Sequence, residues 1–205
     1  MGRAKPIFIA RSTHPTFFVE GKTISGEHFD SRKGNRAMTE SRIEIPKLQG
    51  HHCFACGTEN PIGLNLQFYQ VGEAVCTDIV LDKVYEGWEG MVHGGIISTL
   101  IDEVMSWTAM YSKKVFLVTR NMNIKYVKPV MIGTPLRVKG RIVDDSEPPR
   151  IRASAEIRDD HERLLVKGSG EFVTVPKEKL SAIPESFKEQ MDALFDRFPV
   201  SPDTA

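Results

Sequence analysis

Between residues 64 and 69, apolar Leu64, Leu66 and Phe68 alternate with Asn65, Gln67 and Tyr69, and a second apolar-rich run, 74–81, follows a turn at Gly72. Alternation with period two marks a half-buried strand, so this region predicts a β-hairpin. The period then changes. Over 94–111, Ile96, Ile97, Leu100, Ile101, Val104, Met105 and Thr108 recur at helical spacing and cover about half of a helix circumference. Four strand-like runs follow, 115–130, 135–143, 151–158 and 164–175, separated by turn-forming segments at Gly133-Thr134, 144–150 and 159–163. The predicted order is β-β-α-β-β-β-β. Strands joined by short turns make an antiparallel sheet, and the one strongly apolar helix is what that sheet must wrap, an α+β arrangement. A last segment, 184–198, with Ile183 before it, places Phe187, Met191, Leu194 and Phe198 at helical spacing. It predicts an amphipathic helix docked on the body or on a partner chain.

A chain of 205 residues is long enough for one domain with a real core, not two large ones. The expected organisation is a poorly ordered N-terminal extension over 1–45, a body over 46–176, and a C-terminal helix and tail over 177–205. The run Pro6-Ile7-Phe8-Ile9-Ala10 is too brief for a secretory signal core, and Met38 stands as an alternative start. Lys and Arg number 27, as do Asp and Glu, so no net field draws nucleic acid or an anionic membrane. No window approaches the ~18 consecutive apolar residues of a membrane span. The three cysteines, Cys53, Cys56 and Cys76, are an odd number and form no disulfide framework. The expectation is a soluble, cytoplasmic protein in a reducing compartment.

Candidate chemistry concentrates at the start of the central helix. Projection at about 100° per residue puts Asp102 outside the apolar arc, on a narrow flank with Gly95, Ser98, Ser106 and Ala109. An acid there is either a solvated surface carboxylate or a group facing a slender ligand. His93-Gly94-Gly95 favours the second. Glycines at a helix N-terminus leave N–H groups unshielded at the positive end of the helix dipole, which suits a developing oxyanion; the alternative is a steric need for glycine in a tight turn. Gly94 and Asp102 are eight residues apart, hence about 12 Å along one helix. One carbonyl cannot touch both. If both act at one carbon they come from two helices, which predicts a homodimer with composite sites.

The element order, the His93-Gly94-Gly95 turn with Asp102 beyond it, and the upstream run Cys53-Phe54-Ala55-Cys56-Gly57-Thr58-Glu59-Asn60-Pro61-Ile62-Gly63-Leu64 together resemble the hotdog-fold acyl-CoA thioesterases. The branch is the PaaI-like and mitochondrial thioesterase-like one, and the resemblance covers about residues 50–176. It implies an antiparallel sheet wrapped around one central helix and hydrolysis of acyl-CoA in fatty acid metabolism. It also implies a homodimer or a homotetramer built as a dimer of dimers, with no metal or organic cofactor. By position it makes Asp102 the general base or nucleophile, Gly94 with Gly95 the oxyanion donors, and His93 a polar group beside the carbonyl. Thr119 takes the place of a Ser or Thr that orients the attacking water. Family members often carry an amide a few residues before the glycines. Here residues 85–92 contain none, so either His93 takes that role or the activity is weak.

Cys53 and Cys56 form a CxxC knuckle that would need two more ligands to hold zinc, so they are read as packing and no metal is expected. Glu103 points about 100° away from Asp102 and is read as solvated or structural. Arg120, Asn121, Lys125 and Lys128 lie on or beside one strand and are assigned to substrate, with CoA phosphates as partners for the cations; in a regular strand Lys125 and Lys128 face opposite ways, so at best one serves a given phosphate, and solvated strand charges are the alternative. Trp88, Met105, Trp107, Met110 and Phe116 are read as core, with an acyl tunnel as the alternative. Two competing functions remain at this level: a non-catalytic acyl-CoA-binding module and a hotdog enoyl-CoA hydratase or dehydratase.

Overall fold

The computed structural model of the chain describes residues 41–199. The extension expected over 1–45 therefore lies outside the described residues up to position 40. The sheet begins inside its last part, with β1 at Ile43–Ile45.

The remaining elements are β2 (Phe68–Val71), β3 (Ala74–Val80), α1 (Gly94–Lys113), β4 (Leu117–Tyr126), β5 (Pro135–Asp144), β6 (Arg150–Asp159), β7 (Leu164–Thr174) and α2 (Glu185–Asp196). The strands form one antiparallel sheet in the order β1-β2-β3-β5-β6-β7-β4. Helix α1 carries the chain across the face of the sheet, from β3 on one side to β4 at the far edge. Its buried stripe, Ile97, Leu100, Ile101, Val104, Met105 and Thr108, is close to the one periodicity predicts, extended by Trp107 and Ala109. Against it the sheet presents Val138, Ile157, Val166 and Phe172, all fully buried.

Two glycines let the helix lie close to the strands. A Cβ on Gly140 of β5 would sit 2.4 Å from Thr108 Oγ1, and one on Gly168 of β7 would sit 2.5 Å from Ile101 Cγ2. At its C-terminus α1 stops where Lys114 turns left-handed (φ 54°), its N–H returning to the Met110 carbonyl, a common helix-ending geometry.

Two expectations need correction. Residues 64–67 alternate as predicted, with Leu64 and Leu66 buried, yet the strand begins only at Phe68. Asn65 takes a left-handed φ of 47°, which breaks a ladder, and the N–H groups of Leu64 and Leu66 bond instead to the carbonyls of Phe54 and Ala55. The flank assigned to Asp102 is also less open than projected: Ala109 is fully buried. The helix predicted near the C-terminus is α2, and it docks on its own body. Phe195 meets Phe116 edge-on at 5.6 Å, while Phe198, just past the helix, packs on Tyr111 at 5.2 Å and Trp107 at 6.3 Å. None of these helices is long and apolar enough to cross a membrane.

Candidate active site

His93 is the residue that caps α1. Its backbone is extended (φ −60°, ψ 134°) and its Nδ1 accepts the Gly95 N–H at 2.9 Å. A nitrogen that accepts leaves the neutral imidazole's proton on Nε2, so the ring presents an N–H outward. The position is enforced from behind. The His93 N–H donates to the Tyr85 carbonyl at 2.9 Å, and a Cβ on Gly87 would come within 2.9 Å of His93 Cα.

This cap divides the two glycines. The Gly95 N–H is engaged by the His93 ring, so in this arrangement it is not free for the oxyanion role expected of it. The Gly94 N–H has no partner among the described residues, as expected for a first helical position. The Gly94 carbonyl, in contrast, accepts from both Ser98 Oγ and Tyr126 Oη at 3.0 Å, and those two hydroxyls are themselves 3.0 Å apart. Tyr126 at the end of β4 was not singled out by periodicity. A hydroxyl four residues into the helix, as at Ser98, is a local signal; its partner across the strand is not.

Asp102 lies half-buried in the middle of α1, and its Oδ1 accepts from Thr119 Oγ1 at 2.8 Å. Oδ2 is left for other work. The register explains why Thr119 reaches inward. It pairs with buried Phe172, whereas Asn121 pairs with the next residue of β7, Glu171, across an irregularity between Thr119 and Asn121. Paired residues point to the same face, so the bulge turns Thr119 toward the helix and Asn121 away from it.

The residues assigned to substrate follow Asn121 outward. Arg120 pairs with Glu171 at 3.3 Å. Lys125 lines a cavity of about 610 Å³ on the outer face with Asn123, Lys139, Arg141, Lys167 and Ser169. Lys128 lies beyond the end of β4, exposed, so the facing rule of a regular strand does not reach it. The structure thus joins Asp102 to Thr119 and His93 to Gly95, and among the described residues no side chain of Arg120, Asn121, Lys125 or Lys128 makes a hydrogen bond or ion pair with Asp102 or Thr119. Of the residues weighed for an acyl tunnel, Met105 and Trp107 are core, whereas Trp88 is 80% exposed.

Glu103, next along the helix, turns to the opposite flank. Its Oε1 accepts from Trp107 Nε1 at 3.0 Å, and of the two readings offered for it the structural one fits. Burial, with the neighbouring Cys53 thiolate, pushes its carboxyl up to about 7. The Cys56 thiol donates to Cys53, which with the backbone N–H groups of Cys56 and Ala55 holds Cys53 down at about 5.

An antiparallel sheet wrapped on one long helix is the hotdog fold. The thioesterase superfamily model matches residues 89–145, from the loop before His93 through β5. Among solved structures, a thioesterase superfamily protein is 25% identical with a TM-score of 0.55, over 60% of this chain and 63% of that one. The E. coli PaaI protein from the phenylacetic acid degradation operon is 14% identical (TM-score 0.51, 55% of this chain and 81% of that one). A Streptococcus mutans protein bound to acetyl CoA is 20% identical (TM-score 0.51, 58% and 96%). No curated protein matches the sequence. The chain has the hotdog fold, the thioesterase superfamily's pattern falls on the stretch centred on α1, and its structural neighbours include the PaaI protein.

Proposed function

We propose that the chain hydrolyses acyl-CoA thioesters to a free acid and CoA, in sites shared between two copies of the chain. The observation that carries this reading is the Asp102–Thr119 hydrogen bond, eight residues from the unpartnered Gly94 N–H. Roughly 12 Å of helix keeps the two apart within one copy. In a dimer, Asp102 of one copy meets Gly94 and His93 of the other.

Thr119 holds Oδ1, so Oδ2 of Asp102 takes a proton from water as that water attacks the thioester carbon. The carbonyl oxygen becomes an oxyanion, stabilised by the Gly94 N–H and the His93 Nε2–H. Collapse of the tetrahedral intermediate breaks the C–S bond. CoA leaves as a thiolate and takes up the proton held by Asp102. A thioester is already activated, so one carboxylate and two donors are a sufficient set, without a Ser-His-Asp triad. Direct attack by Oδ2 would instead form an anhydride; single turnover in ¹⁸O-water, with label appearing in Asp102, distinguishes that route.

Hydrolysis of acetyl-, hexanoyl-, palmitoyl-, phenylacetyl- and benzoyl-CoA, followed by free thiol, tests the reading. Turnover on at least one supports it. Tight binding without turnover transfers the chain to the class of acyl-CoA-binding modules, and hydration of an enoyl-CoA followed in the ultraviolet would assign it to the hydratases.

A further inference from the structure

The reaction proposed above uses neither Cys53, Cys56 nor Glu103, yet these three are brought together from two separate elements. Their ligand atoms, two Sγ and one carboxylate oxygen, all lie within 4.8 Å of one another. We infer that Cys53, Cys56 and Glu103 form a binding site for one thiophilic divalent cation of the zinc class, with the fourth coordination position left to solvent.

The loop is constructed to converge the two sulfurs. Gly57 N–H closes a turn onto the Cys53 carbonyl at 2.9 Å, and Glu59 N–H bonds the His51 carbonyl at 3.1 Å. A Cβ on Gly57 would stand 2.5 to 2.6 Å from backbone atoms of Cys53 and His51, so only glycine permits this fold-back. The CxxC segment is then fastened to the chain entering β2 by the Phe54 and Ala55 carbonyls described above. Lys47, buried beneath it, donates to the Cys56 carbonyl (2.9 Å), the Leu66 carbonyl (2.8 Å) and Asn65 Oδ1 (2.7 Å). All three of its protons are used. Such a braced loop presents fixed sulfurs instead of adapting to packing alone.

The third ligand is oriented in the way carboxylate ligands usually are. Trp107 Nε1–H holds Glu103 Oε1, and a hydrogen bond to one carboxylate oxygen fixes the direction in which the other can meet a metal. Zinc–thiolate bonds of about 2.3 Å place two sulfurs of a tetrahedral site about 3.8 Å apart, within the present spacing. Charge also closes. Two thiolates and a carboxylate carry three negative charges, which a divalent cation and the Lys47 ammonium neutralise. Thiolate ligands select zinc over magnesium or calcium.

The test uses the full-length protein, reduced, freed of metal with a chelator and titrated with Zn²⁺. Retained metal is then measured by mass spectrometry after gel filtration, and Co²⁺ is substituted to look for thiolate-to-cobalt charge transfer. The expected result is about one ion per chain, falling below about one tenth in Cys53→Ser and Cys56→Ser, and unchanged in Cys76→Ser. Glu103→Gln, nearly isosteric, should weaken zinc at least about tenfold while keeping the charge-transfer band. Should either serine variant fail to fold by circular dichroism, Glu103→Gln carries the test. Absence of retained zinc in the reduced wild type overturns the inference, as does retention that the substitutions leave unchanged. A thiol count showing that Cys53 and Cys56 close into a disulfide, with no metal taken up after reduction, would make them a redox pair instead. Because the readout is metal content, the outcome is independent of whether the chain hydrolyses acyl-CoA.

Discussion

Gly94→Pro separates a site shared between copies from a site within one chain. Gly94 is the first residue of α1, and His93 before it is extended at φ −60°, ψ 134°. Proline favours the first position, and extended backbone favours the residue before it. A Cβ on Gly94 would meet nothing nearer than Tyr126 Oη at 3.6 Å, and the N–H that proline removes makes no bond among the described residues. Stability should therefore stay within about 0.5 kcal/mol of wild type. Loss of one oxyanion donor should lower kcat by about 10²- to 10³-fold, or roughly 2.7–4 kcal/mol of transition-state stabilisation. Asp102→Asn, defective in the proton step, supplies the complementary lesion. When the two variants are co-expressed with different tags, a mixed dimer holds one site with both lesions and one site with neither. Purified mixed dimers should then recover about half the wild-type rate of thiol release, while each parent stays near 1% or below. If Gly94 and Asp102 served one site within a chain, every site in the mixed dimer would carry one lesion. No recovery in a verified mixed dimer would refute the sharing. Wild-type turnover by Gly94→Pro alone would remove Gly94 from the oxyanion role.

Asp102→Asn alone should lose at least about 100-fold in kcat with an unchanged unfolding midpoint, because the amide oxygen still accepts from Thr119; turnover within tenfold of wild type would exclude Asp102 as base. Thr119→Val removes that one hydrogen bond, worth about 1 kcal/mol, and should slow the reaction about fivefold at saturating substrate; no change would mean that the carboxylate needs no such anchor. Gly140→Ala presses a methyl into Thr108 and the Val104 side chain and should cost about 1–3 kcal/mol in urea unfolding; an unaltered midpoint would contradict the close approach of α1 to β5. Phe198→Ala should cost about 3–5 kcal/mol, since it opens a space among Trp107, Tyr111 and Phe195; a negligible effect would place α2 outside the cooperative fold.

The wrapped helix was legible because α1 has one sustained period and the strands after it are cut by short polar turns. What alternation could not convey was backbone sign. Leu64 and Leu66 are buried as a strand would bury them, yet left-handed Asn65 hands their N–H groups to the cysteine loop. The same limit applies to β4: nothing in Leu117-Val118-Thr119-Arg120-Asn121 announces the bulge that points Thr119 inward and Asn121 outward. For the proposed site, residue types and offset along the helix single out His93, Gly94 and Asp102 as candidates. The use of the Gly95 N–H by the His93 ring depends on a side-chain rotamer that no sequence pattern encodes. Glu103 was harder still. Its burial follows from a loop about fifty residues upstream folding over the helix, a contact that only the tertiary structure supplies.

One strand grips the helix at both points where chemistry is assigned. Thr119 near the start of β4 holds Asp102, and Tyr126 at its end holds the Gly94 carbonyl. Between them the bulge adjusts which residues face α1. The other margin of β4 is a free edge among the described residues, with Val118 and Tyr126 each about half exposed. A free strand edge of this kind pairs readily with another copy. Any pairing there would be felt at Asp102 and at Gly94 of the same helix, which the proposed mechanism assigns to two different sites. In the proposed dimer, assembly and catalytic geometry are thereby coupled through β4. It follows that a proline at Asn123, whose N–H lies on the strand that carries both contacts, should lower turnover in every site of the dimer. A lesion at Asp102 or Gly94 in one copy, by contrast, should silence one site and spare the other.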